Sequence, residues 1–146
     1  MCIITSADDF HKFFKIDEGI SVYGNIRWEL TENGILTLEG QGEMNIDFDG
    51  DDQFYGLWLH KREHIKGVVI FPGIKSIQED IFCDHPSLTW LVLPPEFKLS
   101  TARAEYEDYF DHTPLKTIYG YAGTDSELFA RIIGVSFAQF DEGVKI

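Results

Sequence analysis

A repeated apolar pattern constrains the fold of this chain more than any other feature of its sequence. The pattern L-x-x-L-x-L, with apolar residues of any type at the L positions, occurs at residues 65–70 and 88–93. Residues 115–120 repeat it without the last apolar position, which is Gly120. Starts spaced by roughly 20–29 residues are typical of solenoids, in which each repeat supplies one strand and stacks on its neighbour. The sequence therefore predicts three stacked strands at these segments.

The residues that flank the repeats are also similar to one another. An aromatic residue and a proline precede the second and third segments, in residues 82–87 and 110–114. Because proline cannot donate to a strand ladder, the prolines that follow the first two segments predict where those strands end. His85 and His112 each lie just before a repeated segment, and this shared placement favours a structural or capping role for both.

A β-hairpin is predicted before the repeats. A two-residue Asn-Gly loop would place apolar residues of one strand opposite polar residues of the other. A three-residue loop with Gly34 in the left-handed conformation pairs Leu30 with Leu36 and Trp28 with Leu38 instead. We expect the three-residue loop, because it keeps the apolar side chains on one face.

An N-terminal helix is predicted over residues 6–19. Phe10, Phe13 and Phe14 recur at helical spacing, Ile16 is a further candidate for the same stripe, and Gly19 is a stop signal. We expect this apolar stripe to face the core.

A second helix is predicted near the C-terminus. Thr124 and Glu127 form a capping box at its start, and Gly134 ends it. A short strand is predicted after it, over residues 135–140. Because a solenoid needs a cover over its last repeat, we expect this helix to be a cap.

The order of these elements resembles the BspA-type leucine-rich-repeat proteins. The resemblance covers roughly residues 24–140 and is carried by the hairpin at 24–38, the repeat at 65–93 and the terminal element at 117–137. It implies a leucine-rich-repeat solenoid. The chain departs from the family in having barely two repeats, in the aromatic segment 96–112, and in His85, where the family often has cysteine.

We therefore predict a single α+β, β-rich domain over residues 1–146. Residues 1–23 hold the N-terminal helix, and residues 24–64 hold the hairpin and an irregular segment. Residues 65–146 form a short leucine-rich-repeat-like solenoid with its C-terminal capping helix.

The charge of the chain limits the partners that it can bind. Aspartate and glutamate exceed lysine and arginine by 25 to 12, which gives a net charge of −13. Such a chain repels phosphate backbones, so we expect no nucleic-acid partner. A basic protein partner is compatible with this charge.

The sequence favours a cytoplasmic location. The two cysteines, Cys2 and Cys83, do not form a disulfide framework or a zinc-binding pair. The first residues lack the basic and apolar regions of a secretory signal, and no apolar run is long enough to span a bilayer. We expect no membrane association.

Two acidic or histidine-containing motifs suggest metal chemistry. His60, Glu63 and His64 match the inverted zinc-protease pattern H-x-x-E-H, which makes a metal-dependent hydrolase a remote alternative. A strand is predicted directly after this motif, where a zinc protease needs a long helix. We therefore interpret the motif as a polar turn and expect no metal.

The second motif is an acidic loop formed by Asp47, Asp49, Asp51 and Asp52. A calcium-binding EF-hand loop needs glycine at position six and glutamate at position twelve, and this loop has neither. We interpret it as a solvated acidic loop. No catalytic residue and no cofactor is predicted anywhere in the chain.

The repeat pattern also predicts a binding face. In L-x-x-L-x-L the x positions point away from the core, which places Val69, Val92 and Tyr119 in one outward column and Trp90 in the next. Tryptophan and tyrosine are frequent at contact hot spots. The predicted partner-binding residues are Lys66, Val69, Thr89, Trp90, Val92, Thr117 and Tyr119. Two alternatives stay open: another segment of the chain covers this face, or the chain associates with itself.

These observations favour a non-enzymatic module that binds a protein partner. Because the chain is small and acidic, we expect an intracellular inhibitor, such as a bacterial immunity protein that neutralises a basic toxin domain. A structural or adhesive leucine-rich-repeat module of a surface protein is the alternative.

Overall fold

In the computed structural model of the protein, the described residues contain seven strands, which form one sheet. The structure describes residues 15–20, 26–42, 58–76, 81–99, 110 and 112–139. The strands are β1 (Lys15–Ile20), β2 (Ile26–Thr31), β3 (Ile35–Gly40), β4 (Gly67–Ile70), β5 (Trp90–Val92), β6 (Thr117–Gly120) and β7 (Ser136–Gln139). A 3₁₀ helix (Leu59–His64) precedes β4, and helix α1 (Asp125–Ile133) lies between β6 and β7.

The strands lie in the sheet in the order in which they occur in the chain. Strands β1, β2 and β3 are antiparallel neighbours, and we call them the antiparallel half. Strands β4 to β7 are parallel to one another and to β3, and we call them the parallel half. The sheet is therefore a hairpin-like meander that continues into a solenoid of single strands.

The predicted hairpin register is confirmed. Leu30 lies opposite Leu36 and Trp28 opposite Leu38, as a three-residue loop requires. Gly34 has φ +87° and a Cβ there would lie 2.7 Å from the carbonyl oxygen of His64, so only glycine fits this turn without strain.

The predicted repeat strands are also confirmed. Val68, Leu91 and Ile118 lie side by side and fully buried, on the face that packs on the main core. Prolines follow β4 and β5, and the strands end before them as the sequence predicts.

The predicted N-terminal helix is wrong for the residues that the structure describes. Residues 15–19 belong to strand β1, where Gly19 lies opposite Trp28. Pairing with β2 supplies the main-chain hydrogen bonds that a helix would have made internally, and glycine gives a helix little support. Ile16 is 41% exposed, so it does not continue a buried helical stripe. Residues 6–14 lie outside the described residues.

Helix α1 confirms the predicted C-terminal element. The hydroxyl oxygen of Thr124 accepts a hydrogen bond from the backbone N–H of Ser126 at its start, and Gly134 has φ +79° at its end. The carboxylate of Glu127 accepts from the N–H of Gly123, one residue before the cap. The helix therefore leads back to β7, which extends the sheet by one more parallel strand.

An aromatic spine runs through the main core along the sheet. Trp58 stacks on Phe82 with ring centroids 5.9 Å apart, and Phe82 stacks on Phe110 at 6.1 Å. Trp28 on β2 meets Trp58 at one end, and Phe129 on α1 meets Phe110 at the other. These five rings connect the hairpin to the capping helix. In the part of the chain that the structure describes, no helix is long and apolar enough to cross a bilayer.

Candidate protein-binding face

The sheet carries a second apolar cluster on the face opposite the spine. We call this the outer face. Ile35, Val69, Phe71 and Val92 are buried there, and three partly buried aromatic residues pack against them, namely Trp90, Tyr119 and Tyr121. The cluster is separate from the main core, which shows that both faces of the parallel half are apolar.

The predicted outward columns are present in the register of the strands. Val69, Val92 and Tyr119 lie side by side in one column, and Trp90 lies beside Thr117 in the next. Val69 is 0% exposed and Val92 is 3% exposed. These two side chains pack within the second apolar cluster and offer no surface to a partner. Trp90, Thr117 and Tyr119 are partly exposed, and any direct contact would fall on them. Their role in binding stays a prediction.

Trp90 lies flat against the sheet because its neighbour on β4 is a glycine. Gly67 is paired with Trp90, and a Cβ at Gly67 would lie 1.9 Å from Cε2 of the indole. On its other side the indole meets the ring of Tyr119 edge to face, with centroids 6.4 Å apart. Gly67 therefore positions Trp90. The sequence signal for this is an isolated glycine inside an apolar strand, which marks close approach of another group, and our sequence analysis missed it.

The remaining predicted contact residues form a row where the strands begin. The N–H of Thr89 donates to the carbonyl of Lys66 at 3.0 Å, and the N–H of Lys116 donates to the carbonyl of Thr89 at 2.9 Å. Both lysines are exposed, and Thr89 is partly exposed. The row therefore contains two exposed lysines, which precede β4 and β6 in the chain.

The charge of the outer face differs between the two halves of the sheet. Within the described strands β4 to β7, no residue is charged. On the antiparallel half, Glu18 lies opposite Glu29, and Lys15 bridges both carboxylates at 3.0 and 3.7 Å. Arg27 lies opposite Glu39. The parallel half is therefore an uncharged aromatic strip, whereas the antiparallel half is a charged surface.

The side chains of the H-x-x-E-H motif do not converge. Nε2 of His60 lies 2.9 Å from Oδ2 of Asp17, and Nε2 of His64 lies 3.2 Å from the carbonyl oxygen of Thr31. The 3₁₀ helix is short, as expected of a polar turn. Among the described residues, no group of three histidine, cysteine or acidic side chains could hold a metal ion. The zinc alternative therefore has no support in the structure.

The two repeat histidines differ in their surroundings. His85 is buried, and its Nε2 accepts a hydrogen bond from the indole N–H of Trp58 at 3.1 Å. His112 is exposed and lies 3.1 Å from the carboxylate of Asp84. Asp84 and His112 share left-handed backbone conformations, with φ +58° and +57°. His112 is therefore the structural counterpart of Asp84. The sequence suggested that His85 and His112 occupy equivalent positions, and this is wrong, because the counterpart of His112 lies one residue before His85.

Thr113 is the counterpart of His85 in the next repeat. Its hydroxyl accepts from the N–H of His85 at 3.1 Å and donates to the carbonyl of Phe82 at 2.6 Å. The structural role predicted for His85 is confirmed, because His85 fastens adjacent turns of the solenoid. The acidic loop of Asp47, Asp49, Asp51 and Asp52 lies outside the described residues.

Comparison with known proteins supports the fold. No family model matches the sequence, and none of the curated proteins matches it. The structure is similar to that of a leucine-rich repeat protein from Eubacterium ventriosum, with a TM-score of 0.53 and 25% sequence identity over 73% of this chain. The match covers 26% of that longer chain. The present chain therefore has a leucine-rich-repeat-like fold.

Proposed function

We propose that this chain is a non-enzymatic repeat module that binds another protein through the uncharged aromatic strip of its parallel half. The proposal is based on the partly exposed pair of Trp90 and Tyr119, whose rings pack against the buried side chains of the second apolar cluster. Large aromatic side chains held in one conformation lose little entropy on binding, so they are effective contact residues. The likeness to a leucine-rich repeat protein supports a module of this class.

The more specific form of the proposal is a cytoplasmic inhibitor, such as a bacterial immunity protein that neutralises a toxin. The net charge of −13 supports a basic partner, because complementary charge accelerates encounter. Most of the acidic excess lies in sequence segments outside the described residues, whereas the strip itself is uncharged. We therefore assign attraction to the acidic segments and close contact to the strip.

A structural or adhesive role is the second candidate. The similar leucine-rich repeat protein is a longer chain, and the present chain matches 26% of it. A stack of this size would serve there as one part of a longer array of repeats, and its strip would contact neighbouring parts of the same assembly.

Affinity co-purification from the native host, followed by binding measurements on the purified pair, tests the proposal. The captured protein is identified by mass spectrometry, produced separately and titrated with this chain at low and high salt. We expect Trp90→Ala to weaken the affinity by about tenfold or more, which corresponds to ~1.4 kcal/mol. We expect high salt to weaken it as well.

Ile20→Ala is the matched control, because Ile20 is an apolar side chain on the antiparallel half and is 51% exposed. Equal losses in the two variants would contradict binding through the strip. The inhibitor form is tested by assaying the partner's toxicity with and without this chain, and unchanged toxicity would exclude it. A partner that is another copy of this chain, or another part of one surface assembly, would favour the structural role.

A further inference from the structure

The 3₁₀ helix joins the two halves of the sheet through three side chains. His60 forms a hydrogen bond with the carboxylate of Asp17 on β1, and His64 forms one with the carbonyl of Thr31 on β2. Trp58 occupies the N-cap position of the helix, and its indole N–H donates to His85 in the repeats, on the side of the parallel half. Of these three links, that of Trp58 lies in the core.

The hydrogen bonds of His85 fix its protonation state. Nδ1 lies 2.9 Å from the carbonyl oxygen of Cys83, which can only accept, so Nδ1 carries the proton. Nε2 lies 3.1 Å from the indole nitrogen of Trp58, which can only donate, so Nε2 carries none. His85 is therefore neutral in this arrangement. A second proton would place two N–H donors against each other in a site that is 0% exposed.

The charges around this site come from three elements. Arg62 lies on the 3₁₀ helix, and Asp84 lies beside His85 in its own turn, where it is held by His112 from the next repeat. Burial lowers the pKa of His85, and Arg62 lowers it further, while the bond to Cys83 and the charge of Asp84 oppose the shift. The net direction is downward, so the histidine stays neutral until the solution is more acidic than the usual range for histidine.

We propose that His85 is a pH-sensitive latch whose protonation releases Trp58 and loosens the junction between the two halves of the sheet. Protonation of His85 should break only one of the three links of the helix, the one from Trp58. The carboxylate of Asp17 and the carbonyl of Thr31 are acceptors, so the bonds from His60 and His64 do not need a ring nitrogen without a proton. In acid we therefore expect Trp58 to lose its bond to His85, while the 3₁₀ helix keeps its links to the antiparallel half and the bond that the hydroxyl of Ser87 donates to the carbonyl of Glu63.

Nuclear magnetic resonance of the full ¹⁵N-labelled chain tests the latch directly. The chain has three tryptophans, which give three indole N–H signals, and Trp58→Phe identifies that of Trp58. Between pH 8 and pH 4 we expect a midpoint on the acidic side of the usual histidine range, and below it the hydrogen-exchange protection of the Trp58 indole should fall by about tenfold per pH unit, as release of one protonatable group requires. The signals of Trp28 and Trp90 should keep their protection. Imidazole ¹⁵N shifts at pH 8 should show His85 protonated on Nδ1 alone.

Two variants separate the latch from its surroundings. His112→Gln removes the exposed histidine that contacts Asp84, so the transition should remain and its midpoint should move only slightly. His85→Asn keeps an acceptor and cannot titrate, so it should abolish the transition if the variant folds. The native protein decides the matter by itself: simultaneous loss of protection at all three indoles would mean ordinary acid unfolding. That result, or constant protection of Trp58, would overturn the proposal.

Discussion

The antiparallel and parallel halves of the sheet bury the same inner face but present opposite outer faces. On the antiparallel half, charged residues of both signs lie opposite one another, as Arg27 does with Glu39. On the parallel half, both faces are apolar, and Val69 is as deeply buried on the outside as Val68 is on the inside. Parallel sheets are usually apolar on both faces, because other layers cover them. The two halves therefore differ in the chemistry of their outer faces, because the parallel half presents aromatic side chains and the antiparallel half presents charged ones.

The two halves meet at β3 and β4, and the aromatic spine crosses that junction. Trp58 contacts Trp28 of the antiparallel half and Phe82 of the repeats. Trp58 is fully buried in the main core, between side chains of both halves. The stability of the molecule should therefore depend on Trp58 more than on any residue of either outer face.

Replacing Trp58 should have the largest effect. Trp58→Ala removes a fully buried ring and leaves the Nε2 acceptor of His85 without its donor, so we expect a loss of ~4 kcal/mol in the free energy of unfolding. Urea denaturation measures the loss. Ile20→Ala, at an exposed position, should change stability by less than ~0.5 kcal/mol. A loss below ~1 kcal/mol for Trp58→Ala would show that β3–β4 pairing holds the halves together without the ring.

A substitution at Gly67 should act on the parallel half alone. A methyl group there would overlap the indole of Trp90, so Gly67→Ala should cost ~2 kcal/mol and displace the ring. The indole N–H signal of Trp90 should shift, while that of Trp28 should not. Urea denaturation and the same spectra provide both readouts.

The double variant Gly67→Ala/Trp90→Ala tests the cause of that loss. If overlap with the indole is responsible, removing the ring makes the alanine at position 67 nearly neutral, and the two changes are strongly non-additive. If the losses of stability in the two single variants simply add up in the double variant, the cost of Gly67→Ala comes from another contact of β4 and not from the indole.

Sequence reasoning succeeded where the period of the apolar residues matched local turn chemistry. The hairpin register followed from Gly34 and from keeping Leu30 and Leu36 on one face. The parallel strands followed from one pattern repeated three times, which placed Val69, Val92 and Tyr119 in one column. Both features depend only on residues close together in the chain or on a pattern that recurs along it.

It failed where a distant partner decided the outcome. Residues 15–19 were expected in a helix, but the available edge of β2 pairs with them as a strand. The bond between Trp58 and His85 joins residues 27 positions apart, and no local pattern marks it. The burial of Val69 and Val92 depends on what packs over a face, so the strand period placed these side chains correctly without showing whether they are accessible.

The smallest predicted effect lies at the outer end of the antiparallel half, where Asp17 holds His60. Burial alone would raise the pKa of Asp17, but hydrogen bonds from His60 and from the N–H of Glu18 outweigh it and lower the pKa below its usual value. A carboxyl whose pKa is lowered by folding stabilises the fold above its unfolded pKa near 4, and this contribution disappears as the pH falls through the lower, folded value. Because both side chains are partly exposed, we expect the contribution to be below ~1 kcal/mol.

Asp17→Asn isolates the contribution of the carboxylate charge to stability, because asparagine keeps the shape of the side chain but does not titrate. We expect the variant to be slightly less stable than the native protein at pH 6, and we expect this difference to shrink as the pH falls below about 4, as measured by urea denaturation. A difference that persists undiminished at low pH would mean that Asp17 acts through packing of β1. Acid therefore acts on the two links through different groups: it weakens the link between His60 and Asp17 by protonating the carboxylate, whereas it opens the latch by protonating His85.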